Sequence, residues 1–230
     1  PRQWISPHRL KRMDRFAQFS VVAAKLAAED AGLPLSNDNP NPRAGLAFGT
    51  AVGGFSYGEA LHSTFLQKGA HALPPALAVQ VFGGSAQGNI AIECGLQGPC
   101  TTNANSCAAG NSALGEALRI LQRGDADLML AGAGECPISP MIFAAFDNAG
   151  TMSRWQGEPE HAAYRPFHSQ RDGFVIGEGA AVFVLETLDH AQQRGAHIYA
   201  EVLGYAITCE ANHMSSPQTD GLALQAAMRG

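Results

Sequence analysis

The sequence predicts an α/β protein built on a largely parallel sheet that is buried on both faces. Short apolar runs ended by glycine or by charged residues, such as Ala44–Phe48 and Ala126–Ala131, alternate with longer stretches of three- and four-residue apolar spacing. The first kind of run is too short for a helix, and the second matches a helix with one buried face. The 230 residues are 46% hydrophobic and only 15% charged, a balance that excludes disorder over most of the chain.

The elements follow in order. His8–Ala31 is predicted as one helix, because Leu10, Met13, Phe16, Val21, Ala24 and Ala28 share a face and Gly32 with Pro34 ends it. Ser36–Pro42 is a loop of Asn, Asp and Pro. Ala44–Phe48 is a buried strand, Gly58–Gln67 a helix, and Pro74–Ile92 a second helical stretch interrupted near Gly83–Gly84. Gly98–Ala104 carries strand-forming Thr101 and Thr102, and Cys107–Gln122 is a helix stopped by Gly124. Ala126–Ala131 is the next strand and Ser139–Phe146 a helix, followed by a polar loop over Thr151–Arg165. Phe174–Glu186 is a strand with inserted glycines, Leu188–Arg194 a short helix, Ile198–Thr208 a strand and Asp220–Arg229 a final helix.

Composition excludes several functions. A net charge of −5 argues against a dedicated nucleic-acid binder. Five cysteines without a CxxC or a Cys/His metal spacing argue against structural zinc, any other metal site and a disulfide framework, and point to a reducing, cytoplasmic compartment. The long uncharged stretch carries Pro74-Pro75, Gly83-Gly84, Gln80, Gln87 and Asn89, which no membrane span would hold together. Between Gly69 and Gly115 the only charged residue is Glu93, so this stretch is expected where water is scarce, in a central helix or a subunit interface.

Chemistry concentrates at Cys107. It sits in Asn103-Ala-Asn-Ser-Cys107-Ala-Ala-Gly110, where a predicted strand gives way to a helix and small neighbours permit a tight elbow. A thiol at a helix N-terminus is favoured as thiolate, and the free amides there suit an oxyanion. A buried, inert cysteine is the ordinary reading for Cys94, Cys100, Cys136 and Cys209. Asp172 and Glu178, each flanked by glycine, fit catalytic carboxylates no better than a turn-and-bulge role. Gly49–Gly54 lacks the Lys-Ser or Lys-Thr of a P-loop, and Pro137 breaks a dinucleotide reading of Gly132-Ala-Gly134.

Collinear motifs then give a resemblance over nearly the whole chain. Gly98-Pro99, Asn105-Ser-Cys-Ala-Ala-Gly110, Gly124-Asp-Ala-Asp127, Arg165-Pro-Phe167, Arg171-Asp-Gly-Phe-Val175, Gly177-Glu-Gly179 and His213-Met214 resemble those of the β-ketoacyl-acyl-carrier-protein synthases, the elongating condensing enzymes of the thiolase superfamily. The resemblance implies a thiolase-like fold, five-layered αβαβα in the complete protein, with mainly the N-terminal half present here. It divides the chain into residues 1–195, an N-terminal thiolase-like half lacking its first strand, and 196–230, the start of a C-terminal half. It also implies a homodimer, or a heterodimer with a related subunit.

The resemblance makes Cys107 the residue that takes an acyl chain from acyl carrier protein. It implies no resident cofactor, since acyl groups travel on the phosphopantetheine of the carrier. His213 matches a histidine near the active site, and Glu210 its acidic partner, where Asp is commoner. Val52 and Phe146 match positions lining the acyl pocket, and Lys11 and Arg12 match carrier-binding positions within the basic cluster Arg9, Lys11, Arg12 and Arg15. The two histidines that promote decarboxylation in the family fall beyond Gly230, so these 230 residues alone are expected not to complete a condensation. The retained Cys107 favours a catalytic subunit over a chain-length-factor-like partner, in which that cysteine is usually replaced.

Overall fold

The computed structural model describes residues 1–158 and 160–230. Pro159, inside the loop expected over Thr151–Arg165, lies outside the described residues.

The first helix is shorter than its apolar pattern suggested, and it is two helices. Ser6 caps α1 (Pro7–Leu10), and the chain then breaks over Lys11–Asp14. Asp14 is extended, and its carboxylate accepts from the Ala17 amide at 3.0 Å, opening α2 (Arg15–Asp30). An aspartate that satisfies a free amide at the start of a helix competes with helix continuation through it. The inner face of α2 is Phe16, Ala17, Ser20, Val21, Ala24 and Ala28, all buried.

Strand β1 (Ala44–Gly49) is buried at every position. Helix α3 (Phe55–Lys68) follows, then α4 (Leu77–Gln80) and α5 (Gly84–Cys94), with the expected interruption before Gly84. The uncharged stretch is only partly dry. Ser85, Ala86, Ile90 and Cys94 of α5 are buried, whereas Val79 and Phe82 stand exposed. Strand β2 (Cys100–Asn103) leads through a 3₁₀ turn at Ser106–Ala108 into α6 (Ala109–Gln122). After β3 (Leu128–Glu135) come α7 (Pro140–Asn148), β4 (Gly179–Glu186), α8 (Leu188–Gln193) and α9 (Leu222–Arg229).

Among the described residues the sheet runs β2-β1-β3-β4. β1 is parallel to β2 and β3, with Leu46 opposite both Cys100 and Leu130. β4 pairs antiparallel with β3, Ala131 opposite Phe183. The expected burial on both sides therefore holds for β1 and largely for β3. It does not hold for β2, half-buried throughout, nor for β4, where exposed and half-buried residues alternate as far as the buried Leu185. The chain reaches β4 through the long 149–178 segment and enters the sheet from the opposite end, as only an antiparallel neighbour can.

Two apolar clusters fix the layers. Phe16, Val21, Leu46, Phe48, Ile90 and Leu130 join α2 and α5 to one face of the sheet. On the other face Ala113, Ala117 and Ile120 of α6 meet Ala47, Met129 and Ala131. Each large side chain fully buried in this way contributes about 2 kcal/mol.

The strand expected over Ile198–Thr208 does not form. Its residues have strand-like composition, yet the segment hydrogen-bonds to no sheet edge and most of it is exposed. It lies across α6 instead, with the Tyr205 ring over Gly115 and 5.2 Å from the Arg119 guanidinium. Strand propensity becomes a strand only where a neighbouring edge accepts the ladder. Among the described residues no helix is long and apolar enough to cross a membrane, and no cluster of His, Cys, Asp or Glu has metal-binding geometry.

Candidate active site

The carboxyl ends of β1 and β3 and the start of β4 converge on a cavity of about 570 Å³ whose walls include Thr50, Ala51, Cys107, Gly110, Glu135 and Gly179. Ligand crevices form at this edge of a parallel sheet because the strands end together and the next helix starts there. Cys107 is exposed in the 3₁₀ turn that precedes α6. Ser106, just before it, has φ 50°, in the left-handed region that side chains avoid. Such strain, on the order of 1–3 kcal/mol, persists only where surrounding bonds hold it.

Asparagines supply those bonds. Asn103 donates its side-chain amide to the Ala109 carbonyl at 3.1 Å, and its side-chain oxygen accepts from the Asn105 amide at 3.2 Å. Asn105 donates to the Ser112 hydroxyl at 3.1 Å, and Thr102 donates to Gln87 at 2.9 Å. The elbow is thereby stitched to β2, α5 and α6. Gly49 allows the close approach of β1, since a Cβ there would fall 2.3 Å from the Ala109 carbonyl oxygen.

Of the five free thiols, burial pushes Cys94 up to about 11 and Cys136 up to about 12, and it raises Cys100 as well. These three are held as protonated thiols at neutral pH. Cys209 is exposed, like Cys107, but lies outside the walls of the cavity.

One residue of the cavity had no role in the sequence reading. Glu135, at the end of β3, accepts from the Ala51 amide at 2.5 Å, the Val52 amide at 3.3 Å and the Thr50 hydroxyl at 3.2 Å. The available signal was a lone carboxylate closing a buried strand, Gly132-Ala-Gly-Glu135. Its three donors come from a loop far away in sequence, which is why the motif alone did not reveal it.

The remaining expected site residues lie apart from this cavity. Val52 lines a second cavity of about 380 Å³ with Phe55, His62, Val81 and Met141. Phe146 instead packs edge-on against Phe174, ring centroids 5.2 Å apart. His213 and Glu210 are not paired with each other: His213 accepts from the Ser215 and Ser216 amides, and Glu210 from the Gln218 amide at 2.8 Å. Both sit in a loop that ties itself together, and neither lines the Cys107 cavity. Lys11 and Arg12 are exposed in the turn between α1 and α2. Asp172 accepts from Ser153 and from the Arg154 amide, each at 2.7 Å, so it ties a loop. Glu178 pairs with Arg15 at 2.7 Å.

Comparison with known proteins gives the family and the fold. A family model described as "Beta-ketoacyl synthase, N-terminal domain" matches residues 2–191. The chain is 40% identical over 228 residues to 3-oxoacyl-[acyl-carrier-protein] synthase 2 of Staphylococcus aureus (strain N315), covering 97% of this chain and 54% of that protein. The chain thus spans about half the length of the curated relatives it matches. Among solved structures it resembles the ishigamide ketosynthase/chain length factor, with a TM-score of 0.86 and 33% identity over 99% of this chain and 55% of that one. It also resembles AntDE:AntF, a type II acyl-carrier protein in complex with its ketosynthase, with a TM-score of 0.72 and 26% identity over 89% of this chain and 56% of that one. The fold is thiolase-like, and the chain belongs to the beta-ketoacyl synthase family through the N-terminal domain that residues 2–191 match.

Proposed function

We propose that Cys107 is the acyl-accepting nucleophile of a condensing enzyme that acts on carrier-bound thioesters. The observation that carries this reading is an exposed thiol on a strained, stitched elbow before α6, inside a cavity at the carboxyl edge of the sheet. The Cys107 thiolate attacks the carbonyl of an acyl thioester on the phosphopantetheine of acyl carrier protein. A C–S bond forms to Cys107, the bond to the carrier breaks, and the carrier thiolate leaves and takes up a proton. Malonyl-acyl carrier protein then loses carbon dioxide, and its enolate carbon attacks the acyl-cysteine carbonyl. The products are 3-oxoacyl-acyl carrier protein and free Cys107, as in fatty-acid or polyketide synthesis. Among the residues described here, those around Cys107 serve the first half of this sequence, for which free amides at the start of a helix suit the oxyanion. The reaction needs no resident cofactor.

The carrier is proposed to approach along the basic turn at Lys11 and Arg12. A homodimer is proposed for the working protein, supported by apolar side chains standing exposed on and around α3 and α4: Phe65, Leu66, Val79 and Phe82. The second reading is a non-catalytic, chain-length-factor-like subunit, favoured by the ishigamide likeness. Intact-mass measurement of the full-length protein after incubation with acyl-loaded carrier decides between them. A thioester adduct that disappears in Cys107→Ala supports the enzyme. No adduct on the unaltered protein, alone and with a related subunit, supports the non-catalytic reading.

A further inference from the structure

The basic cluster at the start of the chain is divided by the fold. Arg15 pairs with Glu178 at 2.7 Å, and Glu178 adjoins Gly179 of the cavity wall, so the turn before α2 sits at the sheet edge that carries Cys107. Arg9 turns away from solvent. Its Nε donates to Glu93 at 2.8 Å and its Nη2 to Asn89 at 3.1 Å. Lys25 of α2 donates to the other oxygen of Glu93 at 2.6 Å and to the Trp4 carbonyl at 2.7 Å. Glu93, the single charged residue between Gly69 and Gly115, therefore bridges two cations from either side of the Lys11–Arg12 turn.

The turn is held from below as well. The Gln18 side-chain amide donates to the Met13 carbonyl at 3.0 Å and to the Leu10 carbonyl at 3.4 Å, the two residues that bracket Lys11 and Arg12. Lys11 and Arg12 themselves make no ion pair among the described residues and are exposed on this held turn. Burial would raise the Glu93 carboxyl, but the hydrogen bonds from Lys25 and Arg9 outweigh it and hold the group below the ordinary range. The bridge is thus charged at neutral pH. With side-chain exposures of 13% for Glu93, 25% for Arg9 and 22% for Lys25, it is screened less than a surface pair.

We propose that Glu93 is a positioning residue for carrier recognition: by clamping Arg9 and Lys25 it presents Lys11 and Arg12 as a preformed dibasic site for an acidic carrier protein. The inference rests on the reading above that the carrier docks at this turn. Preorganisation gives affinity because the backbone that carries the two cations need not be ordered when the partner arrives.

The sign of one substitution separates positioning from charge. Glu93→Gln removes a negative charge and frees two cations, so electrostatics alone predicts tighter binding of an acidic partner. Positioning predicts weaker binding, by about five- to tenfold. The measurement is fluorescence anisotropy of labelled acyl carrier protein titrated with the full-length protein, with iodoacetamide modification of Cys107 as a control for the intact site. Expected are weaker binding in Glu93→Gln, an unchanged Cys107 modification rate, and weaker binding in Lys11→Glu/Arg12→Glu. Unchanged or tighter binding in Glu93→Gln, with weakening in the double variant, overturns the positioning role and leaves the docking reading intact. No change in the double variant overturns the docking reading and the inference with it. Arg9→Lys gives a second test that keeps the net charge, because an ammonium cannot serve Glu93 and Asn89 in the geometry of the guanidinium fork. Weaker binding in Arg9→Lys supports the clamp, and unchanged binding counts against it even where Glu93→Gln fails to fold.

Discussion

The Glu135 carboxylate accepts from the Ala51 amide at 2.5 Å, joining the end of β3 to the loop after β1 while it lines the same cavity as Cys107. The loop it holds has a wall in both cavities, through Thr50 and Ala51 in one and Val52 in the other. One side chain therefore ties the loop shared by both cavities to the end of β3.

Removing that carboxylate should loosen the loop. Glu135→Ala leaves the Ala51 and Val52 amides and the Thr50 hydroxyl without their shared acceptor, and the expected loss is about 1–3 kcal/mol. Urea unfolding followed by circular dichroism checks it. A midpoint equal to that of the unaltered protein would show that the loop finds other partners.

Thiol reactivity should be sharply uneven. Burial holds Cys94 near 11 and Cys136 near 12 and raises Cys100, whereas Cys107 and Cys209 are exposed. Iodoacetamide at neutral pH should modify Cys107 and Cys209 roughly tenfold faster than the other three in the native protein. Peptide mass mapping over time reads the order, and early labelling of Cys94 or Cys136 would contradict the packing described here.

Two glycine substitutions should act in opposite directions. A Cβ on Gly49 would meet the Ala109 carbonyl oxygen at 2.3 Å, so Gly49→Ala should cost at least about 1–3 kcal/mol by forcing β1 away from the Cys107 elbow. Gly88 lies inside α5 with nothing within 4 Å of its would-be Cβ. Gly88→Ala should stabilise by about 0.5–1 kcal/mol. Thermal unfolding of the two variants side by side tests the pair, and a stabilised Gly49→Ala would disprove the contact.

Acid should weaken the join between β4 and α8. Glu186 is bound by Arg194 at 2.5 and 2.7 Å and faces His190 at 2.6 Å. Burial pushes its carboxyl up, but the bonds from Arg194 and His190 prevail and hold it below the ordinary glutamate value of 4.5. A depressed carboxylate stabilises the fold above that value, and its contribution is lost as pH falls through the lower, folded one. Glu186→Gln should therefore lower the Tm near neutral pH and shrink its difference from the parent below pH 4.5. A difference that stays constant with pH would show that the pairing contributes no proton-linked stability.

Local pattern alone determined much of this protein. The runs that became β1 and β3, the interrupted helical stretch that became α4 and α5, and the strand-to-helix elbow at Cys107 all follow from residues close together in sequence, where periodicity, glycine and small side chains act directly. Tertiary structure decided what depends on distant partners. Asp14 splits the first helix through a local bond from the Ala17 amide, but the packing of α2 on the sheet rests on distant apolar partners such as Leu46, Phe48 and Leu130. Arg9 and Arg15 leave the basic cluster because Glu93 and Glu178, far along the chain, draw them in. Ile198–Thr208 has the composition of a strand but lies across α6 and pairs with neither edge of the sheet. Phe146 takes its place by packing on Phe174, and Val52 by following the loop that Glu135 holds. A sequence specifies propensities residue by residue, whereas an ion pair, a ladder or a cavity wall exists only once two distant segments meet.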